Sequence, residues 1–218
     1  MVHWLERKSI LSNNRIVIID YNMGNLRSVQ KAFEKVGCDA VISNDHDSIR
    51  EADKIVLPGV GAFKDGMKHL SELGLIELLN EEVLVNKKPF LGICLGMQLI
   101  AQKSYENGET LGLGWVDAEV IKFDFSNKDK KLKIPHVGWN EIKYQNESIL
   151  FQDITDANDF YFVHSYHFST EECIVSSTTD YGFDFISSIN KDNIFAFQFH
   201  PEKSQTAGLK ILENFVKI

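Results

Sequence analysis

The first clear pattern along the chain begins at Arg15, where Ile16-Val17-Ile18-Ile19 is an unbroken apolar run. A short strand without polar alternation is what a parallel strand covered on both faces looks like. After it, Asn25 is placed to cap a helix that carries Leu26, Val29, Phe33 and Val36 on one face, with Gly37 as its stop. The pattern repeats through Ala40-Val41-Ile42, Lys54 to Leu57, a helical stretch from about Phe63 to Val85, and Phe90 to Ile93. Strands alternating with helices predict an α/β fold, a doubly wound and mostly parallel central sheet with helices on both faces.

Beyond Trp115 the texture changes to short strands broken by turns, at Val120 to Phe123, Glu141 to Tyr144 and Asp159 to His164. These are expected to extend one edge of the sheet with antiparallel strands. The chain closes with a strand from Ile194 to Phe199 and a helix from about Ser204 to Val216. Residues 1–14 place Trp4 and Leu5 beside Glu6, Arg7 and Lys8 and lack the apolar core of a signal peptide. They are expected to form a disordered N-terminal extension, and residues 15–218 a single domain.

Composition narrows the partners. With 44% hydrophobic residues in 218 the chain can bury one generous core, and a formal charge of −8 opposes binding to nucleic acid, whose affinity comes largely from Lys and Arg. Lys128, Lys130, Lys131 and Lys133 form a basic patch, but acids lie alongside, so a solvated hairpin is the expected reading. Cys38, Cys94 and Cys173 suggest neither a disulfide framework nor a metal site, which fits a reducing cytoplasm with no metal or cofactor. No apolar run approaches the roughly 18 residues that span a bilayer, so no membrane partner is expected.

The sharpest chemical signal is Gly92-Ile93-Cys94-Leu95-Gly96, which follows an apolar strand and precedes the helix-like Met97 to Gln102. The spacing is that of a nucleophile elbow with Cys in place of Ser, in which glycines permit a sharp strand-to-helix turn. At a helix start, unpaired amides favour negative charge, and the Leu95 amide points where an oxyanion develops. A small buried Cys in a glycine-rich turn is the competing explanation.

The second signal is Phe199-His200-Pro201-Glu202-Lys203-Ser204, where a strand ends and the last helix begins. Pro201 is expected to keep the chain extended, so that His200 and Glu202 project to one side and Glu202 orients the imidazole toward the thiol. Gly59-Val60-Gly61, after a third apolar strand, reads as the second oxyanion wall; it lacks the Gly-Lys-Ser/Thr ending of a phosphate loop. His46, His69 and His167 carry no metal spacing and are expected to be surface or internally satisfied residues. Pro135 to Asn140 and Tyr161 to Tyr166 combine rings with polar heads, which suits either core or a docking face.

Taken in order, Asp20 to Leu26, Pro58 to Gly61, Gly92 to Gln98, Pro135 to Asn140, Tyr161 to Tyr166 and Gln198 to Ser204 resemble the class I glutamine amidotransferases. The likeness is greatest to the glutaminase subunits of imidazole glycerol phosphate synthase in histidine biosynthesis, and it covers Arg15 to Val216. The resemblance implies that Cys94 attacks the glutamine side-chain amide, His200 shuttles protons and Glu202 orients His200. Ammonia would then pass through a channel to a β/α-barrel synthase partner that closes over the site. It also implies that Gln98 and the backbone of His164, Ser165 and Tyr166 hold glutamine. The oxyanion donors would be the amides of Leu95 and Val60, the latter after its peptide turns.

By the same likeness, Asn25, Trp139, Tyr161 and Lys203 would lie near the partner face. Asn22 stands where such subunits commonly have Gly, which Asn tolerates if the backbone there is left-handed. Three alternatives stay open: the same chemistry feeding another synthase, such as one that amidates a surface sugar; a cysteine peptidase or γ-glutamyl hydrolase using the same elbow; and a non-catalytic binding or regulatory module that kept the fold and lost turnover, against which stands the presence of all three triad residue types.

Overall fold

The computed structural model describes residues 14–126, 132–154 and 159–218. Its strands run in chain order as β1 (Ile16–Ile19), β2 (Val41–Ser43), β3 (Lys54–Gly59), β4 (Phe90–Cys94), β5 (Ala101–Ser104), β6 (Thr110–Leu111) and β7 (Val116–Lys122). They continue as β8 (His136–Glu141), β9 (Lys143–Tyr144), β10 (Asp159–His164), β11 (Tyr166–Thr170), β12 (Val175–Asp180), β13 (Asp184–Lys191) and β14 (Ile194–Phe197). The α-helices are α1 (Leu26–Lys35), α2 (His46–Arg50), α3 (Phe63–Glu72), α4 (Leu75–Leu79), α5 (Leu95–Leu99) and α6 (Gln205–Lys217).

The main sheet is ordered β2-β1-β3-β4-β14-β13-β11-β7-β5-β6. From β2 to β14 every pairing is parallel. From β14 to β13 onward the pairings turn antiparallel, apart from β5 beside β7. A separate two-stranded ribbon pairs β8 with β10. This is the mostly parallel doubly wound sheet with an antiparallel extension that the apolar pattern predicts.

Why the sheet is doubly covered follows from β1. Ile16 and Ile18 pack with Val29 and Phe33 of α1 and with Leu212 and Phe215 of α6. Val17 and Ile19 face the opposite way, into a second core with Leu70 of α3 and Leu75 and Leu79 of α4. All four are 0% exposed, and each such side chain contributes about 1.5–3 kcal/mol on burial. Lys54 opens β3 at 3% exposure, with its ammonium held by Asn14 and the carbonyl of Val216.

Local signals in the first unit behave as expected. The Asn25 side chain accepts from the Ser28 amide and caps α1, and Gly37 takes a φ of 83° just past its end. Asn22 does adopt the left-handed backbone, with φ of 62°.

Several boundaries differ. The helical stretch from Phe63 to Val85 is three pieces, because Gly74 turns left-handed between α3 and α4, and residues Asn80–Val85 form a π-helical turn. The helix after the elbow ends at Leu99, and Ala101 already belongs to β5, so Met97 to Gln102 is not one helix. Ile142 separates β8 from β9. The closing strand stops at Phe197 rather than Phe199. The residues of the expected N-terminal extension, except Asn14, and Lys128, Lys130 and Lys131 of the basic patch lie outside the described residues.

Candidate active site

Strand β4 ends on Cys94, which caps α5 with φ of 55° and ψ of −107°. A non-glycine residue in this region carries strain of about 1–3 kcal/mol, and it turns the thiol out of the sheet at the C-terminal edge of the parallel strands. The elbow glycines do a different job from the one their spacing suggests. The sharp turn belongs to Cys94 itself, whereas Gly96 lets the helix start approach β3, since a Cβ there would lie 1.7 Å from the Leu57 carbonyl oxygen. Gly59 is opposite Cys94 in the parallel register, and a Cβ on it would sit 2.1 Å from the Tyr21 hydroxyl.

The His200–Glu202 couple forms, though not on extended chain. His200 itself is extended (φ −102°, ψ 95°), as a residue before proline must be, but Pro201–Lys203 closes a 3-10 turn. The turn brings the Glu202 carboxylate to 2.8 Å from His200 Nδ1, with both side chains at most 3% exposed. The other ring nitrogen, Nε2, is buried without a hydrogen-bond partner. Burial opposes charge on this ring, but Cys94 on one side and Glu202 on the other raise it to about 10. The imidazole and the sulfur are thus near enough to couple electrostatically without full hydrogen-bond geometry, a common state of a site that tightens on substrate.

Two backbone carbonyls of β10 hold this pair. The His200 amide donates to Tyr161 O at 2.9 Å, and the Cys94 thiol faces Val163 O at 3.9 Å. Ser204 secures the turn by donating to His200 O at 2.6 Å and accepting from the Tyr161 amide at 3.0 Å.

Beside Cys94 lies a cavity of about 280 Å³, large enough for an amino-acid side chain and backbone. Val60, Gly61, Leu95 and Gln98 line one side, and His164, Ser165 and Tyr166 the other. Gly59 does not reach it; it is buried in β3 beneath, against Tyr21 and Leu95. His164 Nδ1 donates to Tyr166 O at 2.8 Å, and its Nε2 is 3.0 Å from His136 Nδ1. Burial pushes His164 down to about 3 and His136 below its ordinary range. His167 is also buried and lowered by burial, and His46 is satisfied by Leu73 O at 3.0 Å.

Trp139, Tyr161 and Lys203 come together outside the cavity. Register places Trp139 opposite Tyr161 in the ribbon, their rings meet edge to face at 5.7 Å, and the Lys203 ammonium lies 5.5 Å from the Tyr161 ring centre. With Trp139 43% and Val137 56% exposed, this is an aromatic face open to solvent. Asn25 is exposed as well, and its side chain is engaged in capping α1.

Three residues were given no role from the sequence, although Tyr21 and Gln198 lie within the stretches Asp20 to Leu26 and Gln198 to Ser204. Glu106 lines the cavity from the turn after β5 and caps α3 by accepting from the Phe63 amide at 2.6 Å. Nothing in Tyr105 to Glu109 marks it out. Tyr21 is fully buried, its hydroxyl has no partner, and burial and the Cys94 charge hold it protonated. Gln198 is buried against Cys94; a lone amide in an apolar strand end was the available signal.

A model of the class-I glutamine amidotransferase family matches residues 17–218. The chain belongs to that family. It is 53% identical over 203 residues to the imidazole glycerol phosphate synthase subunit HisH 1 of Campylobacter jejuni strain RM1221, covering 93% of this chain and 100% of that protein. It is also 53% identical to the HisH subunit of Aquifex aeolicus, over 92% of this chain and 95% of the other. Solved structures share the amidotransferase fold at low identity. PurLQS from Thermotoga maritima superposes with a TM-score of 0.70 at 15% identity, over 94% of this chain and 98% of that one. A glutamine amidotransferase from Thermotoga maritima gives 0.60 at 18%, over 87% and 76%. Among the described residues no helix is long and apolar enough to cross a membrane, and no cluster of His, Cys, Asp and Glu could hold a metal.

Proposed function

We propose that the chain is the glutaminase subunit of an imidazole glycerol phosphate synthase. It hydrolyses glutamine to glutamate and ammonia, and delivers the ammonia through a channel to a β/α-barrel cyclase that makes imidazole glycerol phosphate and AICAR in histidine biosynthesis. The observation that carries the chemistry is a strained Cys94 placed against the buried His200–Glu202 couple at the wall of a cavity sized for glutamine. The names of the relatives favour the histidine pathway over a synthase that amidates a surface sugar.

In this reading Cys94 sulfur adds to the side-chain amide carbon of glutamine, and the oxyanion is met by amides of the Val60–Gly61 loop and the Leu95 helix start. His200, protonated and aligned by Glu202, gives its proton to the departing ammonia, leaving a glutamyl thioester. His200 then takes a proton from water as it attacks the thioester, and glutamate leaves with Cys94 restored. Gln98 and the His164–Tyr166 backbone hold the amino-acid end. No cofactor enters any step. Trp139, Tyr161, Lys203 and Asn25 form the face on which the barrel docks, and reduced cysteines agree with a cytoplasmic site of action.

The decisive experiment is glutamate release by Cys94→Ala with the barrel partner and its nucleotide ligand present. Release is expected to vanish; unchanged glutamate production excludes Cys94 as the nucleophile.

A further inference from the structure

Gln198 is 0% exposed, at the end of a segment whose neighbours are Phe, Ala and Ile. Its Nε2 donates to Cys94 Sγ at 3.7 Å, and its Oε1 accepts from Gln98 Nε2 at 2.9 Å. Which end of an amide faces which neighbour is set by the surrounding hydrogen bonds, and here a chain of them decides it. Tyr166 O can only accept, so the Gln98 group facing it at 3.0 Å is the NH2. The second N–H of that NH2 needs an acceptor, and Gln198 Oε1 supplies it. The NH2 of Gln198 is thereby turned onto the sulfur.

We infer that Gln198 is a further member of the catalytic machinery, a hydrogen-bond donor to the Cys94 sulfur whose amide is locked in the donating orientation by Gln98. The inference rests on the reading of Cys94 as nucleophile. A donor aimed at sulfur stabilises its anionic form, both before attack and when the thioester collapses and the sulfur leaves with the electron pair. Gln98 lines the cavity and Gln198 does not, so the lock joins the residue facing substrate to the residue facing the nucleophile.

Gln198→Met keeps the length and burial of the side chain and removes both hydrogen bonds. The test is the rate of iodoacetamide alkylation of Cys94 against pH in the full chain with its barrel partner, read from the mass of the Cys94 peptide because Cys173 is also free and, unlike Cys94, exposed. Alongside it, kcat and KM for glutamine are measured. The alkylation curve is expected to move to higher pH by about one unit, with kcat down about tenfold and KM within about twofold. A residue that merely fills space would leave the curve in place, and an unmoved curve overturns the inference.

Gln98→Met provides the second reading, and the sole one if Gln198→Met does not fold. It is expected to raise KM and to shift the alkylation curve in the same direction by a smaller amount, since the freed Gln198 amide rotates. A raised KM with an unmoved curve overturns the lock. If the curve shifts but Cys94→Ala still releases glutamate, the hydrogen bond stands and the assigned chemistry falls.

Discussion

Replacing Gly96 by Ala adds one methyl group where the structure has no room for it. The new Cβ would lie 1.7 Å from the Leu57 carbonyl oxygen and 2.8 Å from its carbon, against a floor of 3.0 Å for real contacts. The obstacle is backbone of β3, not the tip of a side chain that can swing aside. The gap must open by about 1.3 Å, and α5 must move as a unit, taking Leu95, Met97 and Leu99, each at most 2% exposed, out of register with the core. Overpacking typically costs 1–3 kcal/mol, and a backbone clash that displaces a whole helix start belongs above that range, at about 3–5 kcal/mol. For a chain of this size that is a fall in Tm of roughly 10 °C. Turnover should drop about a hundredfold or more, because Cys94 caps the displaced helix and a shift of about 1 Å in a reacting group is enough for that.

The matched control is Gly37→Ala. Gly37 has a φ of 83° but open space around the Cβ position, so the change costs about 1–2 kcal/mol through backbone strain and leaves turnover alone. Urea unfolding and glutamate release, measured on both variants, separate the two causes. A Gly96→Ala protein within about 1 kcal/mol of the parent and fully active would refute the close-approach argument.

Further outcomes follow from the same geometry. Glu202→Gln should keep the fold and slow glutamate release about a hundredfold or more, because the 2.8 Å contact that aligns His200 loses its charge; turnover within about threefold of the parent would remove Glu202 from the mechanism. Trp139→Ala should weaken binding to the barrel partner about thirtyfold by calorimetry without unfolding the chain, and unchanged affinity would place the docking face elsewhere. Burial depresses His164 to about 3 from the ordinary 6.5, so its contribution is fully present above about pH 6.5 and is lost as pH falls toward 3. His164→Asn should therefore flatten stability against pH in that window, and an identical acid slope in urea unfolding would count against a buried neutral imidazole.

The parallel half of the fold was legible because β1, β3 and β4 are buried on both faces and so contain almost nothing but apolar residues. The antiparallel half was not, for the opposite reason. β12 and β13 are rich in Ser and Thr, yet Ser177, Ser187 and Ser188 are fully buried or nearly so and satisfy one another at 2.6–2.8 Å, a solution that leaves no hydrophobic period to read. The helix break at Gly74 was hidden by the apolar spacing that continues on both sides of it. The residues proposed to react were legible where they are local, with His200 and Glu202 two positions apart and Cys94 framed by glycines. Glu106, Tyr21 and Gln198 reach the site only through tertiary folding, and no spacing announces them.

Strand β10 has a property that becomes visible only when its alternate atoms are followed in turn. The ring of Tyr161 looks outward to Trp139 and Lys203, while the carbonyl of the same residue grips the His200 amide, and two positions on, the Val163 carbonyl touches the Cys94 sulfur. The strand thus resembles a caliper, with its outer jaw on the exposed aromatic face and its inner jaws on the His200 amide and the Cys94 thiol. One short strand thus contacts the exposed aromatic pair, the His200 amide and the Cys94 sulfur, with no loop between the three contacts.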